Sequence, residues 1–358
     1  MYDITCEIAA ELGQKVKVAR LYSSQRADEL SEAFDRLKPL PHGPEMTREG
    51  LAECTNIVAL AGAEQIQEAL NSGADIVIAG RTTDTAIIAA LPLQNGDHAG
   101  GAWHGAKIGE CGALCASNPQ SGVIVIDFDA EGFTVTPLAD GALATPHTVS
   151  AHMLYENSDP FILLEPGGHL DVTEAAYEAL DERSVRVEGS SWIPSERYTV
   201  KLEGARVLGH QSVLLALIRD PHYIENAVTW AEDIQKKCVA KVEARLGLCP
   251  EEFSIEIRVI GLDATLGQLE RKTSEPTEIG ALGIVTARTE ERVAEIAKML
   301  DPYLLHHPLT AEEEQPTFAF PFSPAATPRG PVYGFCLHHV LELQNPMDAF
   351  RLEVAAVG

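Results

Sequence analysis

Hydrophobic positions in the first third of the chain follow two alternating periods. Residues 2–14 and 63–73 carry apolar side chains three to four positions apart, which predicts helices. The runs "KVKVARLYS" (15–23) and "NIVALAG" (56–62) are typical of strands, and "ADIVIAG" (74–80) is hydrophobic enough for a strand covered on both faces. Strands and helices that alternate at this spacing predict βαβ units with a parallel sheet.

The pattern changes after this region. Two β-rich runs separated by "DAEG" predict a hairpin over 121–138, and the segments 184–192 and 197–209 predict further strands. Residues 211–247 are expected to supply two helices, and 278–307 a strand followed by a long helix. This half of the chain therefore indicates an α+β arrangement, with mixed or antiparallel strands and helices over one face.

The predicted fold class is α/β, in which a parallel α/β layer is followed by an α+β domain. The first is expected over residues 1–120 and the second over 121–310. Residues 307–334 are rich in proline and glutamate and lack periodicity, so 311–358 is interpreted as a linker followed by a C-terminal strand or tail. This tail is expected to pack back on the chain or to be exchanged between subunits of a homo-oligomer.

Composition narrows the classes of partner. The chain has 53 acidic against 27 basic residues, a formal net charge of −26, which argues against a nucleic acid or an anionic membrane surface as partner. No apolar run approaches the roughly 18 residues of a membrane span. No secretory signal is recognised at the start, so a cytoplasmic location is expected. An anionic small molecule would need a local basic pocket that opposes this charge.

The cysteines and glycines do not indicate a cofactor. The seven cysteines are scattered and odd in number, as reduced thiols are. Cys111 and Cys115 form a CxxxC pair without the second pair of ligands that a structural zinc site needs, so no metal site is predicted. No GxGxxG register and no P-loop is present, which excludes nucleotide phosphate binding of either standard kind. The cofactor remains unknown at this level.

A charged corner follows the hydrophobic strand 74–80. The strand ends at Gly80, and Arg81 and Asp84 come directly after it, before a helical segment. Ligands of open α/β sheets bind at the carboxyl ends of strands, where an arginine can hold a carboxylate or phosphate. Gly80, Arg81 and Asp84 are therefore predicted to bind substrate, with Asp84 capping the next helix or orienting Arg81. The alternative is that Asp84 is only a cap and Arg81 a surface residue.

A second group of reactive side chains occupies the segment "WHGAKIGECGALCASNP" (103–119). On a helix, His104, Lys107 and Cys111 would lie along one face and converge. Glu110 is a candidate general base, together with His104, and Cys111 is a candidate thiol nucleophile. The alternative is a buried Cys111 thiol with Glu110 in solvent.

A third candidate is the turn Glu165-Pro-Gly-Gly-His169. Its carboxylate and imidazole could contribute acid–base or metal chemistry, and both residues are predicted to contact substrate from the second domain. The alternative is an ordinary glycine turn with polar side chains.

Five segments together resemble the acyclic terpene utilisation (AtuA) family, and the resemblance extends over nearly the whole chain. They are "GADIVIAGRTTDTAIIAALPL" (73–93), "AWHGAKIGECGALCAS" (102–117), the segment from "ATPHTVSAHML" to "GGHLDV" (144–172), "VRVEGSSWIPSERYTVKLEGA" (185–205) and "FCLHHVLELQNPMDAFRL" (335–352). Members of this family usually carry an additional strand and a glycine-rich segment before the helix that opens this chain. The resemblance therefore leads us to expect a site that is open on one side.

The resemblance implies an enzyme of acyl or hydroxy-acid catabolism, a lyase or hydrolase acting on a branched carboxylate or acyl-CoA. The family is named after citronellol and geraniol breakdown, where a lyase step on a branched β-hydroxy acyl-CoA has been proposed. In this hypothesis Arg81 holds the anion and Glu110 or His104 moves a proton. Two alternatives stay open: a non-catalytic subunit that binds a small acid or scaffolds a partner, and a metal-dependent hydrolase or hydratase using His152, Glu165 and His169.

Overall fold

A computed structural model describes residues 1–118, 122–271 and 276–358, and it has a mixed α/β fold. Its α-helices are α1 (Tyr2–Glu11), α2 (Ala27–Glu32), α3 (Arg48–Ala52), α4 (Ala63–Asn71), α5 (Asp84–Asn95), α6 (Ala99–Gly109), α7 (Pro146–Ala151), α8 (Pro221–Glu225), α9 (Ala227–Leu246) and α10 (Glu290–His306). Its strands are β1 (Val16–Tyr22), β2 (Leu37–Pro39), β3 (Asn56–Ala59), β4 (Ile76–Ala79), β5 (Ile124–Phe128), β6 (Gly132–Pro137), β7 (Ile162–Glu165), β8 (Gly168–Asp171), β9 (Ala176–Ala179), β10 (Val185–Glu188), β11 (Ser191–Pro194), β12 (Tyr198–Ile218), β13 (Phe253–Ile260), β14 (Ile279–Ala287), β15 (Thr327–Leu343) and β16 (Arg351–Val357). In this described part, no helix is long and apolar enough to cross a membrane.

The chain folds into two compact units. Unit 1 comprises residues 1–205 and 335–358, and unit 2 comprises residues 206–334. These limits differ from the boundaries after residues 120 and 310 that the sequence predicts. Each limit falls within a long strand, β12 or β15. The sequence pattern did not reveal either strand as one continuous element, so the predicted boundaries lie elsewhere.

The predicted charged corner follows β4, an edge strand of a three-stranded sheet in unit 1 with the order β16-β1-β4. Strands β1 and β4 pair in parallel, as the βαβ pattern predicts, and Val18 lies opposite Ile76. Strand β16 adds to the other edge of β1 in the antiparallel direction. Strand β3 was expected in the same parallel layer, but it pairs antiparallel with β12, and Ala59 lies opposite Leu202. Apolar patterning identifies such a strand without fixing its neighbour, so this part of the expected layer was wrong.

The helices of this layer begin and end where local chemistry predicts. Helix α4 starts beside Gly62, whose N–H donates to Oε1 of Gln65 at 2.7 Å, and it is followed by Gly73 at φ +72°. Helices α5 and α6 pack against a core that includes Leu21, Ala61, Ala86, Ala89 and Trp103. The small side chains of Ala86 and Ala89 on α5 allow α5 and α6 to pack closely against each other.

Antiparallel hairpins complete unit 1. The predicted hairpin over 121–138 is present in the described residues as β5 and β6, which lie in a sheet of order β5-β6-β10-β9. A second sheet has the order β11-β8-β7. Thr145 caps α7 as expected, because its hydroxyl accepts from the N–H of Thr148. The β7–β8 hairpin carries the Glu165-Pro-Gly-Gly-His169 turn to the site described below.

Unit 2 is an antiparallel sheet with two long helices. Residues 210–218 of β12 pair with β14, which pairs in turn with β13. Helices α9 and α10 pack on these strands around a core of aliphatic and aromatic residues. The expectation that 211–247 supplies two helices was wrong for residues 211–218, which are strand. Alternate residues from Ser212 to Ile218 are buried there, the period of two that a strand requires.

Candidate functional site

A cavity of about 510 Å³ opens in unit 1 at the end of β4, a volume suited to a small organic ligand. Four carboxylates line it: Asp84, Glu110, Glu156 and Glu165. The basic side chains are Arg81, Lys107, Lys201 and His169. The aliphatic side chains are Leu40, Leu60, Leu163, Leu164 and Val340. The structure thus brings together five of the eight residues that the sequence predicts for the site. The other three are Gly80, His104 and Cys111.

Hydrogen bonds to two neighbouring segments, one at residues 21–23 and one at residue 61, hold the backbone that follows β4. The N–H of Gly80 donates to the carbonyl oxygen of Leu21 at 2.7 Å, and the N–H of Arg81 donates to Oγ of Ser23 at 2.7 Å. The carbonyl of Arg81 accepts from the N–H of Ala61 at 3.1 Å. The N–H of Gly80 is therefore already used, and Gly80 does not line the cavity. Its contribution is steric, because a side chain there would overlap with Ser23.

Replacing Gly80 by alanine is expected to destabilise unit 1 by about 1–3 kcal/mol, the usual cost of overpacking. The added methyl group would overlap Oγ of Ser23 and lie 3.0 Å from its backbone nitrogen. Chemical denaturation of wild type and G80A measures the loss. The S23A/G80A double variant should recover part of the stability, since it removes the hydroxyl. Equal stability of wild type and G80A would contradict this account of the corner.

The Arg81 guanidinium faces the cavity and is about half exposed. It lies 3.7 Å from a carboxylate oxygen of Asp84 and 3.6 Å from one of Glu203, both longer than a hydrogen bond. Glu203 is held more closely by Lys201, at 2.7 Å. The N–H groups of Arg81 therefore keep capacity for a ligand. The expected capping role of Asp84 was wrong, since the hydroxyl of Thr83 accepts from the first turn of α5 and Asp84 is its first helical residue.

Glu165 is the carboxylate with the most altered acidity in the cavity. Burial raises its pKa to about 7, hydrogen bonds from Thr83 and Thr85 oppose this rise, and the negative charges of Glu110 and Asp84 add to it. The Thr85 hydroxyl donates to Oε1. Oε2 is buried and has no hydrogen-bond partner among the described residues. A carboxyl group with this pKa can change its protonation state near neutral pH, and Oε2 is its oxygen without a protein partner among the described residues.

The raised pKa of Glu165 predicts a pH-dependent stability. The unfolded chain releases this proton near the ordinary value of about 4.5, whereas the folded protein keeps it up to about pH 7. Between these values the folded state binds more protons, so the free energy of unfolding falls as pH rises. Denaturation curves at pH 5 and pH 8 should show a smaller fall for E165Q than for wild type. E178Q, at an exposed position of β9, serves as the control, and parallel behaviour of E165Q and wild type would contradict the assignment.

Lys107 and Glu110 form an ion pair at the C-terminal end of α6. Their side chains are 3% and 10% exposed, so Glu110 is not in solvent as the alternative interpretation has it. The ammonium of Lys107 also donates to the carbonyl oxygen of Tyr155 at 2.8 Å. Burial raises the pKa of Glu110, Lys107 opposes this rise, and the charges of Asp84 and Glu156 add to it. The pair places one ammonium and one carboxylate at the cavity wall.

His104 lies away from the cavity, inside the protein. Its Nδ1 is 2.7 Å from Oγ of Ser190, and its ring packs edge-on against Phe133 and Tyr177. Burial, with a smaller contribution from His152, lowers the pKa of His104 to about 3. The ring is therefore neutral in the functional pH range and out of reach of a ligand in this cavity.

The expected convergence of His104, Lys107 and Cys111 on one helix face is not present. Residues 100–108 of α6 are all buried, so this helix has no single functional face, and only Lys107 of the three lines the cavity. Cys111 is half-buried and its thiol contacts the hydroxyl of Tyr155, a contact that raises the pKa of Tyr155 to about 12.

His169 lies on β8 and lines the cavity together with Glu165. Both residues belong to unit 1, whereas the sequence led us to expect them from the second domain. His152 does not line the cavity. That ring is buried against Tyr155, and burial, then the charge of Lys107, lowers its pKa to about 4. Across residues 1–118, 122–271 and 276–358, no group of three or more histidine, cysteine, aspartate or glutamate side chains could hold a metal ion. This arrangement does not favour the metal-dependent alternative.

The residues at or beside the cavity that were not predicted from the sequence include Thr85, Lys201 and Glu203. Thr85 is the second residue of α5, where its hydroxyl meets the β7–β8 turn. Lys201 and Glu203 alternate with buried residues on β12, a pattern that looks like the solvent face of an ordinary strand. Only the antiparallel pairing of β12 with β3 brings them beside Arg81.

These features define a mixed α/β protein with a cavity whose lining includes three cationic side chains and Glu165, a carboxylate whose pKa is raised by burial to about 7. The chain belongs to the acyclic terpene utilisation family: the profile described as "Acyclic terpene utilisation family protein AtuA" matches residues 1–329. The resemblance inferred from the five segments is thereby confirmed. Comparison with curated proteins and with solved structures gave no match.

Proposed function

We propose that the protein is an enzyme of acyl or hydroxy-acid catabolism, a lyase or hydrolase that acts on a small carboxylate or its acyl-CoA. The observation that carries this proposal is Glu165, whose unpartnered buried oxygen and pKa of about 7 occur in the same cavity as Arg81. A carboxylate with these properties suits general base catalysis at neutral pH. Membership of the acyclic terpene utilisation family supports a substrate from acyl catabolism.

The anionic group of the substrate would bind at Arg81 and Lys201. The guanidinium can form two parallel hydrogen bonds to a carboxylate, and the N-terminal end of the twelve-residue helix α5 adds positive potential. In a chain with a net charge of −26, these two side chains are positive charges that an anion would meet in the cavity.

Glu165 would move the proton. In a lyase reaction it takes the proton of a hydroxyl group while the neighbouring carbon–carbon bond breaks, and in hydrolysis it takes a proton from the attacking water. This assignment replaces His104, which lies outside the cavity, and leaves Glu110 as a second proton acceptor beside Lys107. Cys111 has no role in it.

The aliphatic wall of the cavity would accommodate the hydrocarbon part of the substrate. Leu60, Leu163 and Val340 are among the side chains that form it. A cavity with one apolar wall and a few convergent polar groups orients an amphipathic small molecule. A branched aliphatic acid has this character, with its carboxylate at Arg81 and its chain on the leucines.

A screen of small hydroxy acids and acyl-CoA esters tests the proposed function. We expect at least one of them to raise the melting temperature increasingly as its concentration rises above its Kd, and to be consumed by the protein. At the same ligand concentrations, R81A should show weaker stabilisation and slower turnover than wild type. A ligand that stabilises the protein at every concentration without being converted would instead support the non-catalytic alternative, a subunit that binds a small acid.

A further inference from the structure

The Lys107 ammonium lies at the cavity wall although its side chain is almost completely buried. Its hydrogen-bond acceptors among the described residues are the Glu110 carboxylate and the carbonyl oxygen of Tyr155, and Nζ also lies 5.9 Å from the centroid of the Tyr155 ring. An ammonium group has three N–H donors, so these two acceptors leave one donor for the cavity. Burial of a charged side chain costs stability unless it is well paired, and a lysine kept at a cavity in this way is a candidate for chemistry as well as structure.

Glu110 provides the means to remove a proton from this lysine. Its carboxylate already accepts from Nζ of Lys107, and burial raises the pKa of Glu110, so it takes up a proton more readily than an ordinary glutamate. Transfer of one proton from Lys107 to Glu110 replaces two buried charges by an uncharged amine and an uncharged acid. An uncharged lysine amine in a cavity is a nucleophile toward carbonyl carbon.

We propose that Lys107 forms an imine with the ketone carbonyl of a keto acid bound in this cavity. The inference rests on the proposed function as a lyase and gives its substrate class as a β-hydroxy ketone that carries a carboxylate. The Lys107 amine attacks the ketone carbon, the Glu110 acid protonates the resulting hydroxyl, and water leaves. Imine formation therefore requires no oxidant, metal or co-reactant.

Carbon–carbon cleavage then follows from the same residues. Glu165 takes the proton of the β-hydroxyl group, the bond between the α and β carbons breaks, and its electron pair moves into the protonated imine to give an enamine. Protonation of the enamine carbon and hydrolysis by water release the second product and restore the Lys107 amine. Arg81 holds the carboxylate throughout, which keeps the ketone near Lys107.

Lys201 is the other lysine of the cavity, and it suits a different task. Its side chain is 35% exposed and its ammonium bonds to Glu203 at 2.7 Å. A partly exposed ammonium that is already paired with a carboxylate suits a role as a positive charge for the anion rather than as a nucleophile. The two lysines therefore make distinct predictions about which one becomes covalently labelled.

Reductive trapping with levulinate, a small keto acid, tests this inference. The full-length protein is incubated with levulinate and sodium cyanoborohydride, and intact mass spectrometry and peptide mapping follow the adduct. We expect one reduced levulinate per chain, located on Lys107, because reduction of the imine makes it permanent. K107R should give no such adduct, and E110Q should label slower by roughly a hundredfold, as expected when an acid–base group is lost. K237R, altered at an exposed position of α9, should label like wild type.

Labelling of Lys201, or labelling spread evenly over exposed lysines, would overturn the inference. So would an absence of adduct in wild type, and because the mapping is done on wild type, this result does not depend on the folding of any variant. Stabilisation of the protein by levulinate without trapping would reject imine formation while leaving the proposed function in place, since a lyase acting on a thioester needs no imine. Failure of every acid to bind or to turn over counts against the proposed function itself.

Discussion

Replacement of Glu165 by glutamine should lower kcat on the substrate found in the screen by roughly 10²–10⁴-fold, with little change in KM. Glutamine keeps the size of the side chain and can still accept from the Thr85 hydroxyl, but it cannot take a proton. In wild type, kcat/KM should rise with pH through about 7, because the ionised form of Glu165 is the base. Steady-state kinetics from pH 5 to 9 measure both effects, and the residual activity of E165Q should lose this rise.

The control for Glu165 is E178Q, which removes a carboxylate from an exposed position of β9 outside the cavity. It should match wild type in kcat and in pH dependence. A kcat of E165Q within a factor of a few of wild type would remove Glu165 from the reaction. Loss of activity in E165Q together with a large fall in melting temperature would assign Glu165 a structural role instead.

Replacement of Arg81 by alanine should weaken binding of a carboxylate substrate by roughly 10- to 200-fold, the loss expected for charge-assisted hydrogen bonds of about 1.5–3 kcal/mol. The effect should fall mainly on KM, because Arg81 binds the anion and does not move a proton. Isothermal titration with the acid, at low and at high salt, measures the change. The salt dependence should be smaller in R81A than in wild type.

Two further variants separate charge from geometry at this position. R81K keeps a positive charge but cannot form two parallel hydrogen bonds, so it should recover part of the affinity. R48A removes an exposed arginine that pairs with Asp35, away from the cavity, and should bind like wild type. Asp84 and Glu203 lie beside Arg81, so R81A also changes the charge balance of the cavity. Binding of the uncharged amide of the ligand tests whether Arg81 recognises the charge of the acid. If R81A weakens the amide as much as the acid, the loss is one of cavity shape and not of charge recognition.

Local chemistry made part of the site predictable from the sequence. A hydrophobic strand that ends in Gly80 and Arg81 before a helix can be recognised within one segment of the chain, whichever strand it pairs with. The turn between Glu165 and His169 is equally local, as a short hairpin in which β7 and β8 pair. Arg81, Glu165 and His169 reached the cavity as predicted, since a single segment of chain fixes the geometry of each group.

The remainder of the site depends on pairings between distant segments. Lys201 and Glu203 approach Arg81 only because β12 pairs with β3, about a hundred and forty residues earlier in the chain. His104 shows a different limit. Its spacing from Lys107 is that of a shared helix face, but glycines on α6 let neighbouring backbone approach so closely that the helix is enclosed on all sides. A periodic pattern does not reveal such enclosure.

The pairing of β16 with β1 has a consequence for synthesis. Unit 2 is a continuous stretch of chain, whereas unit 1, which holds the cavity, is completed only by residues 335–358. Domains usually fold as they leave the ribosome, the N-terminal part first. Here one edge of β1 stays unpaired until β16 has left the ribosome, so unit 2 can fold before unit 1 is complete. Nascent chains in which residues 1–334 have left the ribosome and residues 351–357 have not should carry a unit 2 that resists proteolysis, while residues 1–205 remain sensitive.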